Sequence, residues 1–149
     1  MIIIQTLIFC LTKYDKAIPE RINLRNKQCC NRGSLNIRPG LLESVYHQCL
    51  SYEFDLRGIE YKSEMNVLVN YKDEMIDTTF RCDFLVDDAI VVELKAVDAV
   101  LPIHEAFLIN YINLLEKPKG IMINFHCLNI FKDGQKTYVN KFFRDLPEF

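Results

Sequence analysis

Two ionisable residues, Glu93 and Lys95, interrupt the most apolar run of the chain, Ala89-Ile90-Val91-Val92-Glu93-Leu94-Lys95-Ala96-Val97. A β-branched run of this kind reads as a strand covered on both faces. Side chains alternate along a strand, so both ionisable groups point to one side. Burying either charge is costly unless it is paired or bound to a cation. With a three-residue loop at Asp87-Asp88-Ala89, antiparallel pairing sets Asp83 opposite Glu93. Directly opposed side chains have Cβ atoms about 5 Å apart. Two carboxylates that close repel by roughly 4 kcal/mol at an effective dielectric of about 20, so one pKa rises unless a divalent cation sits between them. A hard, oxygen-ligated Mg²⁺ or Mn²⁺ suits the pair Asp83 and Glu93. Lys95 could then orient a water or stabilise a developing phosphorane charge, which is the chemistry of metal-assisted phosphodiester hydrolysis. The competing reading is a buried Glu93–Lys95 ion pair, with Asp83 merely in a turn.

The elements that must hold these groups follow from the hydrophobic period. Leu42, Val45, Tyr46, Cys49 and Leu50 recur at helical spacing between Pro39-Gly40 and Gly58, which predicts a helix and puts Glu43 one turn before Tyr46 and His47 at the edge of its packed face. Val67, Val69 and Tyr71 alternate with Leu68 and Asn70, and a turn at Lys72-Asp73-Glu74 leads to an extended run through Thr78, Phe80 and Cys82, a predicted β-hairpin. The central strand comes next. From Leu101, the residues Ile103, Ala106, Phe107, Asn110, Tyr111 and Leu114 share a helical face, with Pro102 in the first turn and Pro118 and Gly120 as the stop. A strand from Ile121 to Phe125 and a hairpin around Asp133-Gly134, joining Ile130-Phe131 to Tyr138-Val139, complete the reading. The expected class is α/β, a mixed central sheet flanked by helices in the order helix, three strands, helix, strand.

A chain of 149 residues, half of them apolar, supports one hydrophobic core. The expected division is an atypical, poorly ordered segment over residues 1–38 and one domain over 39–149. Lys13, Lys16, Arg21, Arg25, Lys27, Arg32 and Arg38 outweigh Asp15 and Glu20 in the first segment, which reads as a solvated stretch or as a nucleic-acid-binding arm. The net charge of −2 carries no global basic signature, so contact with nucleic acid must come from a local patch. None of the six cysteines forms a CxxC pair, which points to reduced structural thiols rather than a zinc framework. The apolar start MIIIQTLIFCL lacks a basic n-region and a cleavage site, and Lys13 follows too soon for a membrane span. A cytoplasmic protein without membrane association is the expectation.

The run Gly40-Leu41-Leu42-Glu43-Ser44-Val45-Tyr46 resembles the motif that names the GxxExxY protein family, placed in the PD-(D/E)XK nuclease superfamily. The similarity continues through Arg81-Cys82-Asp83-Phe84-Leu85-Val86, Val91–Val97, Leu101–Ala106 and Gly120–Phe125, over roughly residues 39 to 140. The resemblance implies a PD-(D/E)XK nuclease-like fold and a metal-dependent nuclease acting on nucleic acid, with DNA ahead of RNA. It implies Asp83 and Glu93 as metal ligands, Lys95 as the catalytic lysine and Glu43 as an acid on the first helix that assists the metal. Apart from the resemblance, Tyr111 reads either as a core aromatic or as a residue lining the site. A catalytically degenerate nucleic-acid-binding or scaffold protein of the same fold is the alternative, and a homodimer stays open. Three departures stand out. Residues 1–38 do not look like the long helix that the family places before the motif, as a substituted or out-of-frame start would produce. Phe107 stands where RecB-like members carry a glutamine that faces the site, and Cys82 replaces the proline of the nominal signature. His104 and Glu105 open the second helix, where a phosphate could meet backbone N–H groups; an ordinary helix-start role for His104 is the other reading.

Overall fold

The computed structural model describes residues 40–76 and 80–144; the segment 1–38 and Thr78 lie outside the described residues. Helix α1, Glu43–Arg57, buries Tyr46, Leu50 and Phe54, three residues spaced four apart. That stripe is narrower than the expected face, because Leu42 and Val45 stay exposed. Gly58 ends the helix in the left-handed region at φ 61°, and the N–H groups of Gly58 and Ile59 close back on the carbonyls of Asp55 and Phe54.

Among the described residues seven strands and two further α-helices follow: β1 Tyr61–Asn66, β2 Val69–Tyr71, β3 Glu74–Ile76, β4 Arg81–Val86, β5 Ile90–Lys95, α2 Pro102–Leu114, β6 Lys119–Asn124, β7 Gln135–Val139 and the short α3 Lys141–Arg144. The main sheet runs β1-β4-β5-β6-β7. Among the described strands only β5 and β6 pair in parallel, and α2 is the crossover that parallel pairing requires. Helix α1 covers one face, packing Tyr46, Leu50 and Phe54 with Phe84, Val92 and Ile123. Helix α2 covers the other, packing Leu108, Tyr111 and Ile112 with Leu85, Val91 and Met122. Strand β5 is buried from Ile90 to Leu94, as a strand sandwiched between two helical layers must be. This is the expected α/β class, a mixed sheet flanked by helices.

Local pairing differs from the expectation in three places. Val69–Tyr71 pairs with Glu74–Ile76 in a separate two-stranded sheet, because Lys72 and Asp73 both take positive φ, at 51° and 67°, and form a tight two-residue turn. The partner of β4 is instead β1, a mostly exposed edge strand whose polar sequence gives no alternation to detect. Second, α2 buries Leu108, Tyr111 and Ile112 and leaves Ile103 and Leu114 exposed, a face rotated from the expected one. Gly120, expected to stop that helix, lies inside β6, where a Cβ would come within 2.9 Å of Ile112 and Leu108. Third, β7 pairs with β6, while Ile130–Gly134 forms a wide turn rather than one arm of a hairpin.

Candidate active site

The ladder between β4 and β5 pairs Val86 with Ile90, Leu85 with Val91 and Phe84 with Val92, and stops there. One more step would set Asp83 across from Glu93, as the sequence expectation has it. The strands part at that point. On the other side of β4, the pairing with β1 also skips Asp83, opposite Glu64, which has φ 50°. The kink is visible in the packing: Phe84 belongs to the core under α1, but Cys82, two residues earlier, belongs to the core under α2. In an unbroken strand, residues two apart share a face. The fork exposes the Leu94 N–H, and the Asp83 carboxylate takes it through Oδ2 at 2.6 Å.

Glu93 and Lys95 lie one strand over. The Lys95 ammonium donates to Glu93 Oε1 at 2.7 Å and to the Leu94 carbonyl at 2.9 Å. Glu93 Oε2 is buried with no hydrogen-bond partner among the described residues. Burial pushes the Glu93 carboxyl up to about 7, the Asp83 charge adds to the rise, and Lys95 opposes it. Asp83 is also raised by burial, against the pull of the Leu94 N–H and the Lys95 charge. Burial works against the Lys95 ammonium, yet Glu93, with lesser help from Glu43 and Asp83, holds it above the ordinary lysine value. The ion pair of the competing reading is therefore present, but Asp83 stands in strand β4 beside it rather than in a turn.

Glu43, in the first turn of α1, is brought within electrostatic reach of Lys95. Tyr111 is 6% exposed in the α2 core, edge-on to Phe80. Burial pushes its phenol up to about 12, and the charges of Glu93 and Asp83 contribute. Phe107 also packs edge-on to Phe80. His104 accepts the Leu101 N–H through Nδ1 and thereby closes the helix start, while Glu105 pairs with Lys136 on β7. Two neighbours were not assigned to the site by the sequence reading. His47 stacks on Phe84 with ring centroids 4.2 Å apart and lies with Nε2 3.4 Å from the Asp83 carbonyl; its position four residues after Glu43 was the available signal. Asn124 pairs in register with Lys95, and a lone amide in an apolar strand could have marked it.

The donor chemistry suits a hard divalent ion: two carboxylates, one of them carrying an unpartnered buried oxygen, converge at the fork. Among the described residues no three His, Cys, Asp or Glu side chains form a closed metal cluster. Magnesium commonly takes one or two carboxylates and keeps several waters, so a two-acid set is sufficient for it.

A family model described as the PD-(D/E)XK nuclease superfamily matches residues 22–137. That is more than half of the chain, and the protein belongs to this superfamily. No curated protein and no solved structure matches it significantly. Nucleases of this superfamily act on nucleic acid and generally use divalent metals. Among the described residues no helix is long and apolar enough to cross a membrane.

Proposed function

We propose that the chain is a metal-dependent nuclease that hydrolyses phosphodiester bonds of nucleic acid, with DNA as the first substrate to test. The observation that carries this reading is the buried, unpartnered Glu93 Oε2 at a strand fork that also holds Asp83 and Lys95. Asp83 and Glu93 would hold Mg²⁺ or Mn²⁺, which supplies Lewis-acid polarisation of the phosphate and a more acidic water. Lys95 is kept charged and steered by Glu93 and the Leu94 carbonyl, so its ammonium can meet the charge that develops on the phosphate oxygens. Glu43 supports that charge from α1, and Tyr111 lines the buried side of the acids. The Leu94 N–H fixes the Asp83 carboxylate. The run Gly40–Tyr46 supports assignment to the GxxExxY branch of the superfamily.

Calorimetry with Mg²⁺ and Mn²⁺ tests the reading, together with cleavage of single- and double-stranded DNA and RNA. Saturable binding by the wild type should vanish in Asp83→Ala. Lys95→Ala should keep the ion and lose cleavage by about a hundred-fold or more. Cleavage left unaltered by alanine at Asp83, Glu93 and Lys95 would sink the proposal. Phe107, apolar and packed on Phe80, favours a second reading, a degenerate nucleic-acid-binding domain. That protein would bind nucleic acid without a divalent cation, and its binding would survive Asp83→Ala.

A further inference from the structure

Strand β6 carries the face of Glu93 and Lys95 onward: Met122 pairs with Glu93 and Asn124 with Lys95, and paired residues of a parallel ladder project from the same side. Beyond them opens a cleft of about 300 Å³, with Met122 and Asn124 among its lining, Ala99 and Val100 from the loop after β5, and His126 and Asp133 from the far side. One of its lining residues, Asn124, is the ladder partner of Lys95, so their backbones are one strand spacing apart, about 4.8 Å.

The cleft is held open by Asn124. This residue is 6% exposed, and its side chain donates to the Val97 carbonyl at 2.7 Å while accepting the N–H groups of Val97 at 3.1 Å and His126 at 3.2 Å. The loops after β5 and β6 are thus tied to one amide. Such preorganisation lowers the ordering cost of binding. The His126 side chain is half exposed and lies 3.4 Å from the exposed Asp98 carboxylate, with Val100 and Met122 as apolar parts of the same lining. Asp98 and Asp133 both line the cleft, which makes it a poor seat for a phosphate and a good one for the amino edge of a base. Lys136, also in the lining, is paired with Glu105.

We infer that this cleft is a subsite for one unstacked nucleobase beside the phosphodiester held at Asp83, Glu93 and Lys95. The inference rests on the nuclease-fold reading and deepens it: the substrate class is single-stranded or frayed nucleic acid, because a base stacked in a duplex cannot enter a concave cleft. His126 supplies the stacking plane.

The test measures binding, so it is independent of turnover. The probes are a fluorescein-labelled single-stranded DNA dodecamer and its duplex, followed by anisotropy. The variants are His126→Ala, which removes the ring, and Ala99→Trp, which fills the cleft from an exposed position and leaves the core untouched. The wild type should prefer the single strand. Each variant should lose about tenfold in affinity for it and bind the duplex as before. Alkylation of Cys127, which lines the cleft, followed by peptide mass mapping, should slow when the single strand is bound. Single-strand binding that both variants retain, with Cys127 unprotected, overturns the subsite and leaves the nuclease reading standing. A loss of equal size for both probes overturns it too, as a structural effect. Binding of neither probe by the wild type removes both readings.

Discussion

Glu93 sits at the centre of the site's electrostatics. Its carboxyl titrates at about 7 in the fold against 4.5 ordinarily, so the folded chain binds that proton more tightly than the unfolded one. Stability from this group is therefore full below about 4.5 and is lost as pH climbs through about 7. Urea denaturation of the metal-free protein should show stability falling between about pH 5 and 8 relative to Glu93→Gln, which lacks that group's titration. A divalent ion bound at the proposed Asp83–Glu93 site must displace the same proton, so Mg²⁺ affinity should rise over that interval; affinity that is flat with pH in calorimetry would show that Glu93 is not a ligand. Glu93 and Lys95 were legible because charges stand out in an apolar run. Asp83 was legible through the length of the loop, but the fork that turns its carboxylate to the Leu94 N–H was not. No local pattern encodes where two strands separate.

At the level of elements, the parallel pairing of β5 with β6 depends on α2 lying close to the sheet. Gly120 permits that approach, since a Cβ there would come within 2.9 Å of Ile112 and Leu108. Gly120→Ala should cost about 1–3 kcal/mol, read as a lower urea midpoint with an unchanged slope. The buried strands and both long helices could be read from their period. Strand β1 could not, because an edge strand with a mostly exposed, polar surface has no hydrophobic face to advertise. The pairing of β7 with β6 is a tertiary choice, and the Asp133-Gly134 dipeptide signalled only a turn.

For the whole molecule, a net charge of −2 offers no long-range attraction to a polyanion. Nucleic acid should be gripped locally, at a few phosphates. The logarithm of affinity for a single strand falls by about 0.7 per phosphate contact for each logarithmic unit of salt. A footprint of about three phosphates thus predicts a slope on the order of −2. A titration from about 50 to 300 mM salt checks this, and a slope steeper than about −5 would require a broad basic surface.

The forked ladder has one more consequence. Leu94 owes the protection of its amide to a side chain of the proposed metal site, so that single N–H is a built-in gauge. Its resonance and its deuterium uptake should respond whenever the Asp83 carboxylate is protonated, replaced or drawn toward a bound ion, while the amides of Val91 and Val92, deeper in the strand, stay silent.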